Sequence, residues 1–315
     1  MKFPLYFSVC LLLLFAGCDL FNNEHPEIPG KLVYAAPDEK GNYQIFTSLT
    51  NGENRKKLTH FKNGGAYSPS WSPDGEKIVF GRSTPTTSPG YYITIMKADG
   101  SGKQQLEGIF EGRAVNVVGD HPKWSPDGNK VAFDRCLDCE LGGGNSELFV
   151  YDFQTDAIIQ LTDTPASDNN PVWNPVMNKI AFSSDRAELS SNTSDIYVLD
   201  LDNFKVQRLT NTNNSGRQQW YSNGKELLYW SENNLYKYDF ELNTIKELTV
   251  NLVSNTGFRP LSISSNSRYI LIISFNLNSS TDDFKLQILD IETGEVTESV
   301  TNSRFIGADL FSNSF

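Results

Sequence analysis

The chain has 315 residues, with 27 lysines and arginines against 38 aspartates and glutamates, so its formal net charge is −11. This acidic balance argues against a nucleic-acid-binding protein, which needs a basic surface to neutralise phosphates. Aromatic residues make up 12% of the chain, and no stretch shows the apolar period of an amphipathic surface helix. Composition therefore favours one large all-β domain.

The N-terminal segment is predicted to lie outside the folded domain. An apolar run at residues 5–15, followed by two small residues and Cys18, resembles a bacterial lipoprotein signal. We therefore expect removal of residues 1–17 as a signal peptide and lipidation of Cys18, with residues 18–30 as a lipidated tether. The alternatives are an ordinary secretory signal or a retained membrane anchor.

A ten-residue segment recurs along residues 31–315. Its clearest copy, at residues 71–80, reads Trp-Ser-Pro-Asp-Gly-Glu-Lys-Ile-Val-Phe. Proline suits the second position of a turn and glycine its end, so the segment predicts a β-hairpin. Short strands that repeat at this spacing are typical of propeller blades. The other copies lie at residues 124–133, 173–182, 220–229 and 262–271.

Each copy is followed by a strand that ends in an acidic residue and by a fourth strand, which in several copies ends in Leu-Thr. Counting the second strands predicts six four-stranded antiparallel blades. The first blade lacks its innermost strand, whereas residues 305–314 resemble the opening of another. We therefore expect a six-bladed β-propeller whose C-terminal strand completes the first blade and closes the ring.

The Trp-Ser-Pro-Asp-Gly turn, the Ile-x-Val-x-Asp strand and the Leu-Thr ending together resemble the six-bladed propeller of TolB-like proteins, with WD40-like repeats. The resemblance covers residues 31–315. It implies a propeller that is used as a binding surface, commonly for other proteins. Related blades also occur in oligogalacturonate lyases, so the fold alone does not fix the function.

Residues just before the innermost strand of each blade are expected to converge at the mouth of the central channel. Most of these positions are polar, charged or aromatic, which predicts a site for a ligand or partner in this funnel. The alternative is that these side chains are simply solvated there. The candidate residues are Tyr67, Asp120, His121, Asn169, Asn170, Arg217, Gln218, Arg259 and Asp309.

No catalytic residue, metal site or cofactor is predicted. The sequence has no nucleophile elbow, P-loop or dinucleotide fingerprint, and three scattered histidines do not make a His-rich metal site. We therefore expect a binding or scaffold module for a protein or an envelope glycan, with a non-catalytic role and a monomer favoured. Its expected location is the bacterial cell envelope, lipid-anchored, with the outer membrane favoured.

Two other functions stay open. A polysaccharide lyase or hydrolase would use Asp120, His121, Arg217 and Arg259 in the funnel, since acid–base chemistry needs paired groups within hydrogen-bond reach. A purely structural module would only complete an assembly.

Cys136 and Cys139 are separated by two residues in a long loop. In an oxidising compartment such a pair predicts a local disulfide. Free thiols, or a redox or metal role, are the alternatives. Residues 107–119 are a second long insertion and are expected to form a surface loop.

Overall fold

The computed structural model describes residues 30–85, 91–136, 145–189, 193–248, 250–251, 256–276, 284–300 and 307–311. Within these ranges all regular secondary structure is β, and no helix there is long and apolar enough to cross a membrane. The predicted signal peptide, the lipidation site Cys18 and nearly all of the tether lie outside the described residues.

The strands are short and follow the repeat. In chain order they are β1 (Lys31–Pro37), β2 (Tyr43–Leu49), β3 (Lys56–Lys57), β4 (Ala66–Trp71), β5 (Lys77–Arg82), β6 (Tyr91–Lys97), β7 (Gln104–Gln105), β8 (Glu107–Phe110), β9 (Arg113–Asn116), β10 (Val118–Trp124), β11 (Lys130–Cys136), β12 (Ser146–Asp152), β13 (Ala157–Gln160), β14 (Asp168–Trp173), β15 (Lys179–Ser184), β16 (Asp195–Asp200), β17 (Lys205–Arg208), β18 (Ser215–Trp220), β19 (Glu226–Ser231), β20 (Asn234–Asp239), β21 (Thr244–Leu248), β22 (Thr256–Ile263), β23 (Tyr269–Asn276), β24 (Phe284–Asp290), β25 (Val296–Val300) and β26 (Ala308–Phe311).

The molecule is an all-β propeller, but the prediction of six separate four-stranded blades is wrong. Four sheets are four-stranded blades, with the strand orders β26-β1-β2-β3, β14-β15-β16-β17, β18-β19-β20-β21 and β22-β23-β24-β25. All the strands from β4 to β13 belong to a fifth sheet, which has ten strands. Both intact Trp-Ser-Pro-Asp-Gly segments lie in this ten-stranded sheet.

The insertion at residues 107–119 causes this difference. It is not a loop, because β8 and β9 pair as an antiparallel hairpin. Ile109 of this hairpin pairs with Ala157 at the edge of β13, and the end of the insertion pairs Gly119 with Tyr91 of β6. Strand edges present unpaired backbone groups, and the insertion uses two of them to join neighbouring repeats.

The two ends of the described chain meet in one sheet. Strand β26 pairs antiparallel with β1, placing Phe311 opposite Lys31 and Ala308 opposite Tyr34. The inner strands β4, β10, β14, β18, β22 and β26 contact one another in this order, and β26 contacts β4. A closed ring of inner strands therefore surrounds the centre of the propeller.

The Ser-Pro-Asp-Gly segments form the predicted turns. The N–H of Gly75, whose φ is +70°, donates to the carbonyl of Ser72 at 2.9 Å. Ser72 Oγ accepts the N–H of Lys77 at 2.8 Å and donates to Asp74 at 2.5 Å. The side chain thus fixes both ends of the hairpin connection. The same serine contacts recur at Ser125 and Ser264.

The motif tryptophans are packing anchors. Trp71, Trp124 and Trp220 are each less than 10% exposed. Burial of such a side chain is worth about 3 kcal/mol or more, to which aromatic contacts add. Their rings lie 5.9, 5.1 and 5.2 Å from those of Phe311, Phe153 and Phe240, respectively.

The Leu-Thr endings have a structural reason. Thr162 Oγ1 accepts the backbone N–H of Leu148 at 3.0 Å and donates to the Glu147 carboxylate at 2.5 Å. One hydroxyl therefore contacts both a buried acid and the backbone of the third strand. Equivalent contacts are made by Thr59 and Thr210.

Candidate functional site

Four inner strands carry the same backbone irregularity. The pairing register shifts where β4, β10, β14 and β18 approach their tryptophans, and one residue in each shift has a left-handed backbone. Each of these residues lies three positions before a tryptophan. Such β-bulges re-aim a side chain. The four residues are Ser68, His121, Asn170 and Arg217, with φ between +47° and +56°.

These four residues line one cavity of about 270 Å³ at the centre of the ring, which we call the central cavity. Every inner strand contributes to its wall. Its apolar part includes Leu261, Ile273 and Phe275, beside four prolines of the inner strands. Its polar part is formed by Ser68, His121, Lys123, Asn170, Arg217, Gln218, Gln219 and Arg259.

The charge of the central cavity is positive. Lys123, Arg217 and Arg259 all line it, and the carboxylate nearest to Lys123 is Asp309 at 4.0 Å. Neither Arg217 nor Arg259 makes a side-chain hydrogen bond or ion pair within the described part of the chain. Burial, and then repulsion from Arg259, lower the pKa of Arg217. Two guanidinium groups therefore share one wall, and neither is paired with a carboxylate among the described residues.

His121 is held by a carboxylate from the neighbouring strand. Its Nδ1 lies 2.9 Å from Oδ1 of Asp134, which is only 3% exposed. The same oxygen accepts the N–H of Asn170 at 3.0 Å, so Asp134 links two inner strands. Burial opposes the charged imidazole, but the charge and hydrogen bond of Asp134 outweigh it and raise the pKa of His121.

Asp120 precedes His121 and lies beside the same pair. Burial, followed by repulsion from Asp134, raises the pKa of the Asp120 carboxyl to about 6. The charge of His121 opposes this shift. The three side chains form an acid–imidazole cluster at the edge of the central cavity, in which the pKa of Asp120 and that of His121 are both raised.

A second cavity of about 420 Å³, the side cavity, adjoins the first. The two share Asn170, Arg217 and Arg259 in their walls. Trp230 supplies an aromatic ring to the side cavity. The lining also includes the Asp185 carboxylate. The rest is rich in hydroxyl and amide groups, including those of Asn169, Ser183, Ser184, Ser194, Asn214 and Ser215.

The structure places the predicted residues in different surroundings. Tyr67 lies between Tyr43 and Tyr91, at ring-centroid distances of 5.4 and 4.8 Å, outside the lining of the central cavity. Asn169 lines only the side cavity. The predicted residues that line the central cavity are His121, Asn170, Arg217, Gln218 and Arg259.

The half-buried Asp309 side chain takes part in ring closure and does not belong to the lining of the central cavity. Its Oδ2 accepts the Ser70 hydroxyl at 2.8 Å and the N–H of Trp71 at 3.0 Å, and its Oδ1 accepts the Ser262 hydroxyl. Three inner strands therefore meet at one carboxylate.

Gln218 is also a structural link, although it borders the cavity. It is 1% exposed, accepts the Ser183 hydroxyl at 3.0 Å and donates to the carbonyl of Asn170 at 2.6 Å.

Sequence reasoning missed Asp134 and Lys123. Asp134 lies in β11, directly after an apolar run. Because acids are seldom buried without a partner, its position in the sequence could have marked it as a candidate site residue. Lys123 stands immediately before Trp124, where the repeat holds serine, valine or glutamine in other copies.

Cys136 is disulfide-bonded. Cys139, its predicted partner, lies outside the described residues, so the pairing stays a prediction. Among the residues that the structure describes, no group of three or more histidines, cysteines and acids is placed to hold a metal ion.

Two known proteins are similar in sequence to parts of this chain. An uncharacterised protein from Agrobacterium fabrum, Atu1656, is 26% identical over 220 residues, which are 66% of this chain and 69% of that protein. The Tol-Pal system protein TolB from Zymomonas mobilis is 31% identical over 88 residues, which are 28% of this chain and only 17% of TolB.

Among solved structures, TolB from Acinetobacter baumannii matches with a TM-score of 0.67 at 18% identity, over 89% of this chain and 66% of that one. At this identity the likeness shows the fold alone. A family model, described as the TolB beta propeller domain, matches residues 109–305, which is more than half of the chain. The chain therefore belongs to the TolB beta propeller domain family.

Proposed function

We propose that this protein is a non-catalytic binding module of the bacterial cell envelope, which engages a protein or glycan partner through its central cavity. The observation that carries the proposal is the convergence of His121, Asn170, Arg217 and Arg259 on one cavity. Concave sites with an apolar wall and a few convergent polar groups are typical of binding sites. The name of the Zymomonas relative, a Tol-Pal system protein, supports a role in a multi-component assembly.

The proposed location rests on the N-terminal sequence. Lipidation of Cys18 would attach the propeller to a membrane, and multiple acyl chains anchor stably where one is marginal. Detergent-phase partitioning of the full chain tests this step. We expect the wild type in the detergent phase and the Cys18→Ser variant, which cannot be acylated there, in the aqueous phase. Equal partitioning of both would contradict the lipid anchor.

Site-specific photocrosslinking in cells tests the binding role. A photoreactive residue in place of Gln219, on the cavity wall, is expected to give a discrete adduct that is lost when Arg217→Ala is added. The matched control places the same residue at Thr244, on the exposed outer strand β21. Adducts from position 244 alone would show that the partner binds the outer edge, and the proposal would fail.

A second function is favoured by one observation, the His121–Asp134 pair beside two arginines. An imidazole oriented by a buried carboxylate can act as a general base, so a polysaccharide lyase or hydrolase is the alternative. Turnover of an acidic polysaccharide by the full chain, abolished by His121→Ala, would replace the binding proposal with this one.

A further inference from the structure

The wall between the two cavities holds an unbalanced charge. Arg217 and Arg259 line both cavities, and repulsion between them contributes to the lowered pKa of Arg217. Within the described residues neither guanidinium has a carboxylate partner. A guanidinium presents a planar set of donors that matches a carboxylate in two parallel hydrogen bonds. A bound carboxylate would remove the repulsion and satisfy both side chains.

The side cavity offers a different chemistry. The side-chain amides of Asn169, Asn170 and Asn214 make no hydrogen bond to any described residue. An amide group both donates and accepts, which suits ligand hydroxyl groups that do the same. Trp230 adds a ring to this wall, and its Nε1 is buried without a hydrogen-bond partner among the described residues. The Asp185 carboxylate also lines the side cavity and accepts the N–H of Ser167 at 2.7 Å. Amides and an aromatic ring beside this acid fit a hydroxylated, partly apolar ring better than a second anionic group.

The two sites are contiguous and of suitable size. The central and side cavities measure about 270 and 420 Å³, and Asn170, Arg217 and Arg259 lie in the walls of both. One ligand can therefore place an anionic group at the arginines and a hydroxylated ring at the asparagines.

We propose that the adjoining cavities bind an acidic oligosaccharide, with a sugar carboxylate at Arg217 and Arg259 and ring hydroxyls at Asn169, Asn170 and Asn214. This inference rests on the proposed binding function and narrows its ligand to one class.

Isothermal titration calorimetry of the full chain tests it with a trisaccharide of glucuronic acid and the matched neutral trisaccharide of glucose. We expect the acidic probe to bind at least about tenfold more tightly, because charge-assisted hydrogen bonds are the stronger ones. In the Arg217→Gln and Arg259→Gln variants, the affinity for the acidic probe is expected to fall to that for the neutral one. Lys205→Gln, on the exposed strand β17, is the charge-matched control and should bind both probes like the wild type.

An Asn169→Ala variant separates the two halves of the site. The variant is expected to lower the affinity for both trisaccharides by a similar factor. The reason is that it removes an amide partner of the sugar hydroxyl groups and leaves the two arginines in place. Melting temperatures close to that of the wild type show that the variants are folded.

Equal binding of both probes, or tighter binding of a trimer of aspartate than of the acidic trisaccharide, would overturn the proposal. If neither saccharide binds while the Gln219 crosslink still depends on Arg217, the saccharide inference fails and the binding function stands. If neither saccharide binds and position 219 gives no crosslink that depends on Arg217, the saccharide inference and the proposed binding function are both overturned.

Discussion

The imidazole Nδ1 of His121 lies 2.9 Å from Oδ1 of Asp134, and the same oxygen accepts the N–H of Asn170. Because the charge and hydrogen bond of Asp134 raise the pKa of His121, the Asp134→Asn variant should lower it. NMR titration of the His121 ring measures this directly. Asp185→Asn changes an acid in the lining of the side cavity that does not act on His121, so it is expected to leave the His121 titration unchanged. An unaltered curve in Asp134→Asn would show that the pair does not control the imidazole.

Asp120 is expected to make the folded protein less stable as the pH rises, whereas most carboxyl groups have the opposite effect. Its pKa is raised to about 6 in the folded protein, so its charged form is disfavoured there and its contribution to stability is lost as the pH rises through 6. Asp120→Asn is therefore expected to raise the melting temperature at pH 7.5 and to change it little at pH 4. The control is Asp127→Asn, since the Ser125 hydrogen bond lowers the pKa of Asp127, and this variant should not be stabilised at pH 7.5.

Ligand affinity should rise as the pH falls. Between pH 7.5 and pH 5, Asp120 loses its negative charge, and the raised pKa of His121 favours its protonated form. Both changes make the acid–imidazole cluster at the edge of the central cavity more positive, so an anion in the cavity is held more tightly. Calorimetry with the acidic trisaccharide at both pH values measures the effect, and the neutral trisaccharide should show none. Tighter binding at pH 7.5 would contradict this charge assignment.

Asp309 is expected to stabilise the folded protein by linking neighbouring inner strands. Its carboxylate is the acceptor for Ser70, Trp71 and Ser262, so Asp309→Ala leaves buried donors without a partner. We expect the free energy of unfolding to fall by about 2–4 kcal/mol, measured by urea denaturation. Glu76→Gln, which removes an exposed acid from a turn, is the matched control and should change it little. A small loss in Asp309→Ala would mean that water replaces the acceptor.

The Leu-Thr endings give a further stability prediction. Thr162→Val keeps the side-chain shape but removes the hydroxyl that contacts Oε2 of Glu147 and the N–H of Leu148. Oε1 of Glu147 keeps its hydrogen bonds from Thr164 and Asn145. The free energy of unfolding should fall by about 1–3 kcal/mol. Thr244→Val on the exposed strand β21 is the control, and an equal loss there would contradict a role for the buried hydroxyl.

Local sequence patterns predicted the hairpins but not the assembly of the sheets. The Ser-Pro-Asp-Gly turn acts within four residues, so its geometry can be read directly. The ten-stranded sheet arises from pairs such as Ile109 with Ala157, which lie far apart in sequence and have no local signature. Residues 107–119 lack the repeat and therefore look like a loop.

The weakest repeat was predicted one residue out of register. Ile263 lies opposite Ile270 as Trp71 lies opposite Ile78, so the copy predicted at residues 262–271 begins at 263. Without a tryptophan to mark the start, the apolar pattern alone did not fix the register.

The candidate site residues were predicted from their positions in the repeat. The structure shows which of their side chains point into the central cavity and which do not. The residue three places before each tryptophan does reach the central cavity, because the bulge turns it inward. Tyr67 and Asp120 each lie one place earlier and fall outside the cavity lining. Asp309 bonds to neighbouring strands, and no sequence pattern distinguishes such a link from a ligand contact.

The pairing of β26 with β1 has a consequence for biosynthesis. Among the described strands, β1 is synthesised first and its inner partner β26 last, and Asp309 arrives with β26. Until then, β1 keeps an open edge that can pair with another chain. A product truncated before residue 308 would therefore have the turns and the tryptophan anchors, but the inner edge of β1 would stay unpaired.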